Sequence, residues 1–404
     1  MRITFYGDVM CEPTVLKGAK KGKTYDFDYA FDGVRDFMAK SDYIIGNLET
    51  PMAGEEAGYT DDFACFNAPD SYADAMKKAG FRLLSTANNH SFDRGYEGLV
   101  STIRFLDEKG IAHTGTWLPG QEREEAAYFT LGDTKVAVIA YTYNTNYGAS
   151  GKKCLATGEW EGTVNLLRPQ TEGTFLKSAI RPMTRFDKLT KKFFKYYTRC
   201  RIKKFFGATY SYPRPDHHLN KETEQPYVEK MQADIRKARE KADLVIFYPH
   251  IGGQFDPHPG QFTEYMVAKA VEAGAHAVVA SHAHVVQNAA VLEGVPVAYS
   301  IGNFNMDPHS ALVVPENLPG WGLAWHLDVE GGRLKKVSYS ILVAEKEGRK
   351  LVTRTLTDRF ANAKPKKQET LRRNTRQIYE TVTRTPLEEP WVREEYVFWE
   401  APHE

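Results

Sequence analysis

Short apolar runs of four to eight residues recur along the chain, each ending in a glycine or polar cluster. Between them lie stretches whose apolar residues repeat at helical spacing. The first run, over residues 1–8, ends in Gly7-Asp8, and Pro13 soon follows, a residue that cannot donate to a strand ladder. Tyr43–Gly46 ends in Asn47-Leu48-Glu49-Thr50-Pro51, Leu83–Ala87 in Asn88-Asn89-His90, and Leu244–Tyr248 in Pro249-His250. Ala277–Ala280 ends in Ser281-His282-Ala283-His284, and Val295–Ile301 leads into Gly302-Asn303-Phe304. Helical patterns cover Phe31–Ala39, Ser71–Gly80 (a serine N-cap and a glycine stop), roughly Tyr96–Lys109, Pro226–Lys241 and a stretch reaching Ala273. Tyr128–Leu131 and Lys135–Tyr141 flank Gly132-Asp133-Thr134 and predict a β-hairpin. Gly322–Val329 and Leu334–Val343 predict an antiparallel pair that closes the core.

Strands alternating with helices predict an α/β fold with a largely parallel or mixed sheet, covered on both faces. The expected organisation is one large body over 1–345, interrupted by an insertion at about 151–225, and a charged, partly helical C-terminal extension over 346–404, with a helix near Gln368–Thr383. The insertion departs from the rest in charge. From Leu176 to Lys204 it holds eleven Lys/Arg and one acid, Asp187, interleaved with Phe193, Phe194, Tyr196 and Tyr197. Such a segment reads either as a solvated helical face over packed aromatics or as a patch for an anionic polymer or membrane surface.

Composition narrows the partners. With 42% hydrophobic and 26% charged residues, the 404-residue chain can bury a sizeable core. A formal net charge of +1 argues against a dedicated nucleic-acid binder. No apolar run approaches 18 residues, so no membrane span is expected. Arg2-Ile3-Thr4-Phe5-Tyr6 enters a strand at once. That predicts a cytoplasmic chain, or one that starts after a removed leader or anchor and works outside the cytoplasm. Cys11, Cys65, Cys154 and Cys200 lack CxxC spacing and suit reduced thiols better than a disulfide or zinc framework.

In open α/β sheets, ligands bind beyond the carboxyl ends of the strands. Asp8, Asn47 and Glu49, Asn89 and His90, His250, and His282 and His284 all sit at predicted strand ends, so one rim can gather them. A buried amide or imidazole needs partners, which makes Asn88-Asn89-His90 a poor continuation of a buried strand. Asp8, Glu49, Asn89, His250, His282 and His284 form a mixed oxygen and nitrogen donor set. This is ligand chemistry for Mn, Zn, Fe or Ni, whereas all-oxygen sites suit Mg or Ca. Two divalent ions about 3.5–4 Å apart, bridged by a carboxylate, clamp a phosphate or activate a water. His90 reads as a general acid or transition-state donor, with Asp93 as its orienting partner. The other histidines read as structural or solvent-exposed, with His258 in the glycine-rich loop after His250 worth following.

In order, Gly7-Asp8-Val9-Met10, Asn47-Leu48-Glu49-Thr50-Pro51, Ala87-Asn88-Asn89-His90, His250-Ile251-Gly252-Gly253, Ser281-His282-Ala283-His284 and Ser300-Ile301-Gly302-Asn303-Phe304 resemble the CapA (PgsA-type) proteins of bacterial poly-γ-glutamate and capsule synthesis. That family is itself similar to the calcineurin-like metallophosphoesterases, and the resemblance covers roughly residues 1–310. It implies a metallophosphoesterase-like four-layer α/β/β/α sandwich with one or two divalent metal ions at the strand ends. It further implies a metal-dependent hydrolase or transferase in making, exporting or tailoring a γ-linked polyglutamate or other envelope polymer. The implied partners are an anionic polymer or phosphorylated substrate and membrane-associated capsule synthesis machinery. Alternatives are a non-catalytic polymer-binding subunit and a general phosphodiesterase or phosphatase. Two departures from the wider phosphoesterase pattern bear on the site. Met10 stands where Asp-x-His has its imidazole, and Asn47 follows Gly46 where that pattern has Gly-Asp, leaving Glu49 as the bridging carboxylate.

Overall fold

The computed structural model describes residues 1–404 apart from 62–64, 146–155, 157, 171–188, 191–192, 195–197, 199–201, 203–204, 206–214, 311–312 and 403–404. Most of the basic segment from Leu176 to Lys204 therefore lies outside the described residues, as do Cys154 and Cys200. In its first part the chain runs β1 (Arg2–Val9), α1 (Pro13–Ala19), a small β2–β3 hairpin (Lys20–Lys21 and Thr24–Tyr25), α2 (Tyr29–Asp32) and α3 (Arg35–Met38). Then come β4 (Tyr43–Leu48), α4 (Ser71–Ala79), β5 (Phe81–Ser85), α5 (Gly95–Lys109), β6 (Ala112–Thr114), β7 (Ala127–Leu131) and β8 (Thr134–Thr142). After the insertion follow α6 (Lys221–Arg239), β9 (Leu244–Ile251), α7 (Gln261–Glu272), β10 (Ala277–Val279), β11 (Ser281–His282), β12 (Ala289–Leu292), β13 (Val295–Ala298) and β14 (Asn303–Asn305). The chain closes with β15 (Trp321–Glu330), β16 (Arg333–Glu347), β17 (Lys350–Thr355), α8 (Leu356–Ala361), α9 (Pro365–Thr383) and β18 (Tyr396–Glu400).

Among the described residues these strands form two large mixed sheets. One has the order β17-β16-β15-β1-β4-β5-β6, with β14 paired to β1 and β18 to β16; the other runs β12-β13-β10-β9-β8-β7, with β11 paired to β9. The period-2 pattern explains how they stack. Ile3, Phe5, Ile45 and Leu83 on one sheet meet Val136, Val138, Leu244, Ile246 and Val279 on the other in the central core. The alternate residues Tyr6, Ile44 and Leu84 face outward and pack beneath α1, α2 and α4. On the second sheet Ala137, Ile139, Val245, Phe247 and Val278 do the same beneath α6 and α7. The layers are helix, sheet, sheet, helix, as the resemblance implies.

The pattern-based elements recur with three differences. The helical stretch over 31–39 is two short helices, α2 and α3, set apart by Gly33 and Val34. Helix α6 begins five residues before Pro226, because Asn220 caps it by accepting from the Thr223 N–H (3.3 Å). Strand β9 continues through Pro249, which pairs with Tyr141, to place His250 opposite Thr142. A proline removes one donor but leaves its carbonyl, so the ladder survives it. Beyond residue 345 the chain adds β17 and β18 to the first sheet, and α9 lays Leu371, Ile378 and Val382 into the central core. Among the described residues, no helix is long and apolar enough to cross a membrane.

Candidate metal centre

A single extra residue decides where Asp8 points. In the parallel β1–β4 ladder Tyr6 lies opposite Gly46 and Asp8 opposite Asn47, so Gly7 is a bulge. Without it Asp8 would share the helix-facing side with Tyr6; with it, Asp8 turns to the side of Phe5 and Asn47, between the sheets. A side chain at Gly7 would collide with backbone, since its Cβ would stand 1.9 Å from the carbonyl oxygen of Gly302, just before β14. From the second sheet, His282 (φ 105°) and His284 (φ 55°) arrive on left-handed backbone, a strained conformation for side-chain-bearing residues.

The eight sequence-predicted residues, Asp8, Glu49, Asn89, His90, Asp93, His250, His282 and His284, are all buried and lie together where the two sheets meet. Glu49 Oε1 is 3.3 Å from His250 Nε2, 3.6 Å from His284 Nε2 and 3.8 Å from His90 Nε2. Around His250 Nε2 also gather Asn89 Oδ1 at 2.6 Å and His282 Nδ1 at 3.0 Å. Asp8 Oδ2 is 3.2 Å from His284 Nδ1 and accepts from the His282 N–H at 3.2 Å. Two triads result, Asp8–Glu49–His284 and Glu49–His250–His282, whose donor atoms lie within 4.8 Å of one another and share Glu49.

This donor set fits a metal ion. Both Glu49 oxygens and His282 Nε2 are buried without a hydrogen-bond partner. A buried carboxylate normally makes hydrogen bonds or pairs with charge. Glu49 instead turns Oε1 toward three imidazole nitrogens, as a metal ligand does. The second nitrogens of two histidines are held from outside. His284 Nδ1 is 2.9 Å from Asn303 Oδ1 and His250 Nδ1 is 3.1 Å from Ser281 Oγ. Such partners fix ring orientation and leave Nε2 of each facing Glu49.

Electrostatics follow from the same contacts. Burial pushes the Asp8 carboxyl up, but the His284 hydrogen bond and the charges of His250 and His284 outweigh it and bring it down to about 2. Burial lowers His284, but Glu49 and Asp8 raise it to about 9. His282 is driven well below the ordinary imidazole range by burial and by its histidine neighbours. His90 is also buried, yet the charge and hydrogen bond of Asp93 raise it. Its Nδ1–H donates to Asp93 Oδ2 at 2.6 Å, and Nε2 faces the centre.

Four further residues had no distinct mark in the sequence. Phe66 stacks on the His90 ring (centroids 4.3 Å apart), and its N–H donates to Asp93 Oδ2 at 2.6 Å. It sits in the long loop after β4, where a lone aromatic has no pattern to distinguish it. Tyr143, just past β8, packs on His282 at 4.7 Å. Ser281 and Asn303 lay inside quoted motifs, but only the fold shows which histidine each one holds. His258 is exposed; its N–H donates to Asp256 Oδ1 and its Nδ1 meets the Arg384 guanidinium at 3.1 Å, outside both triads.

A family model described as bacterial capsule synthesis protein PGA_cap matches residues 2–308. Among curated proteins, the capsule biosynthesis protein CapA of Bacillus anthracis is 25% identical over 314 residues, covering 76% of this chain and 60% of that protein. The PGA biosynthesis protein CapA of Bacillus subtilis (strain 168) is 22% identical over 307 residues, covering 75% of this chain and 63% of that protein. The chain thus spans less than two thirds of the length of these relatives. Among solved structures, a hypothetical protein from Thermus thermophilus aligns with a TM-score of 0.43 at 16% identity, covering 84% of this chain and 98% of that one.

Proposed function

Starting from the fact that this chain belongs to the PGA_cap family of bacterial capsule synthesis proteins, we propose that it is a metal-dependent hydrolase or transferase. Its substrate class is a phosphorylated or γ-glutamyl compound, used in making, exporting or tailoring an anionic envelope polymer such as poly-γ-glutamate. The observation that carries this reading is Glu49, with two buried oxygens lacking hydrogen bonds amid imidazoles from the opposite sheet. Asp8, Glu49 and His284 would hold one divalent ion. Glu49, His250 and His282, with Asn89, would hold a second. Mn, Zn or Fe suits this mixed donor set. When bound, such an ion supplies Lewis-acid polarisation of a phosphoryl or carbonyl oxygen. His90 Nε2 delivers a proton or hydrogen bond to the leaving oxygen. Asp93 holds the opposite ring nitrogen and stabilises the charged imidazole, and the Phe66 stack limits ring rotation. The basic segment over 176–204 draws a polyanion toward the body, an attraction that salt would weaken, and associates the protein with membrane-bound synthesis machinery.

The first test is metal content of protein purified without chelator, beside Glu49→Gln and His282→Ala. The expected result is about one to two equivalents of Mn, Zn or Fe, lost in both variants. Phosphomonoesters, phosphodiesters and γ-glutamyl peptides would then be screened. Wild-type protein that takes up no metal even after supplementation would refute the reading.

A second reading, a non-catalytic polymer-binding subunit, draws support from Met10. It is buried among Phe66, Phe255, Ala283, Val285 and Met306, where the wider phosphoesterase pattern has an imidazole. Under that reading His90→Ala leaves capsule production intact; under the enzymatic one it abolishes production while metal stays bound.

A further inference from the structure

Asn47 is a buried amide beside Asp8, and the surrounding hydrogen bonds fix which way it faces. The reasoning begins at two backbone groups. The Leu48 carbonyl requires a donor and receives Asn88 Nδ2 at 2.8 Å, while the His90 N–H requires an acceptor and finds Asn88 Oδ1 at 3.1 Å. Asn88 cannot be turned round without setting oxygen against oxygen and N–H against N–H. Its Nδ2 also reaches Asn47 Oδ1 at 3.1 Å, so Asn47 must present its oxygen to Asn88 and its NH2 to the centre. That NH2 donates to Asp8 Oδ1 at 2.8 Å and lies 3.1 Å from His250 Nδ1. The side chain is 1% exposed, so water does not replace these contacts.

On the premise that the centre binds metal, as proposed above, we infer that Asn47 is a positioning residue and not a ligand. The Asn88–Asn47 amide relay ties the His90 loop to Asp8 and holds Asp8 Oδ1, so that Oδ2 faces His284. Asn47 brings no charge, so Asp8 and Glu49 are the only carboxylates in the two triads. A neutral amide thus orders the centre through the strand-end backbone.

The test uses the full chain, Mn²⁺ as probe, and the variants Asn47→Leu and Asn47→Asp. Asn47→Leu keeps the approximate shape but removes every donor. It should fold, by circular dichroism, yet bind Mn²⁺ about ten- to hundredfold more weakly than wild type. Asn47→Asp sets a second carboxylate at the same place, next to Asp8 Oδ1. Its metal-free melting temperature should fall below that of wild type, and Mn²⁺ should raise it by more than it raises wild type, since a cation relieves like-charge repulsion. A residue that merely filled space would leave the Mn²⁺ affinity of Asn47→Leu unchanged. Mn²⁺ affinity of Asn47→Leu within twofold of wild type, or an unchanged metal-free melting temperature in Asn47→Asp, overturns the assignment while leaving the metal centre standing. If Asn47→Leu fails to fold, Asn88→Ala, which breaks the relay at its other end, takes its place: Mn²⁺ binding at least about tenfold weaker supports the assignment, and binding within about twofold of wild type overturns it. A wild type that binds no Mn²⁺, Zn²⁺ or Fe²⁺ overturns the metal centre itself, and Asn47's role with it.

Discussion

The bulge at Gly7 allows a sharp test, because one methyl group should damage both stability and the candidate metal centre. In Gly7→Ala the new Cβ would start 1.9 Å from the Gly302 oxygen and 2.8 Å from its carbonyl carbon. Both neighbours are backbone, and the same Gly302 oxygen accepts the Asp8 N–H at 3.2 Å. Separation to ordinary contact requires β1 or β14 to move by roughly 1.5 Å, and close packing prevents the layers from absorbing such a shift freely. Overpacking costs typically 1–3 kcal/mol, and rigid backbone on one side places this case at about 3 kcal/mol or more. Against a total stability of about 5–15 kcal/mol, that is a large fraction. Either strand that yields also disturbs a residue of the candidate centre. Movement of β1 turns Asp8, and movement of β14 carries Asn303 away from His284. The assay pairs thermal melting with Mn²⁺ titration. Expected are a melting temperature lower by roughly 3–4 °C or more and at least about tenfold weaker metal binding. The control is Gly162→Ala, whose added Cβ meets nothing within 4 Å; it should stay within about 0.5 kcal/mol of wild type. A Gly7→Ala protein with unchanged melting and metal binding would show that Asp8 does not owe its orientation to the bulge.

Three other outcomes are expected. Once a substrate is found, His90→Ala should lower kcat by about a hundred- to ten-thousandfold at unchanged metal content, and Asp93→Asn should act in the same direction; metal loss in His90→Ala would instead make His90 a ligand. His326 is buried between Thr4 Oγ1 (2.9 Å) and Ser340 Oγ (3.1 Å), and burial, helped by Arg2, brings it down to about 3. Between pH 6.5 and 3 the unfolded chain therefore binds the extra proton, so this group's contribution is full above about pH 6.5 and is lost as pH falls toward 3. Urea unfolding at pH 7.5 and 5.0 should show a smaller acid loss in His326→Gln than in wild type, and equal losses would contradict the assignment. Glu224→Gln should destabilise the fold by about 3–5 kcal/mol in chemical denaturation, because it removes the carboxylate that balances the buried Arg168 guanidinium. A loss below 1 kcal/mol would mean that the cation finds compensation elsewhere, such as the Phe262 ring beneath it at 3.9 Å.

Much of the architecture was legible because the chain obeys simple periods. Apolar runs with polar ends gave the parallel strands, and every carboxylate, amide and imidazole singled out at those ends lies in one cluster. Legibility failed where the determinant was long-range. The Gly7 bulge exists only relative to β4 and β14, so nothing in Gly7-Asp8 alone reveals it. The C-terminal strands were masked by their composition. Tyr396–Glu400 is short, and its pairing partner β16 lies some sixty residues upstream, so its charged surroundings outweighed its β-branched and aromatic content. Phe66 was invisible for the same kind of reason, since its role depends on where a long loop places it against His90 and Asp93. Asn47 and Asn88 were visible as residues but not as a relay, because amide orientation is settled by backbone partners that only the fold brings near.

The origin of the donor groups has a consequence for how the protein matures. Asp8, Glu49, Asn89 and His90 come from one sheet, and His250, His282 and His284 from the other, so the cluster spans residues 8 to 284. No fragment of the chain short of that span can assemble it. An ion captured there would therefore act as a seal on a finished molecule, holding the two halves together only once both have been made and docked. Because capture is linked to folding, each tenfold excess of free metal over its dissociation constant would add about 1.4 kcal/mol to the whole body. The metal supply of the compartment would then govern how long the assembled protein lasts.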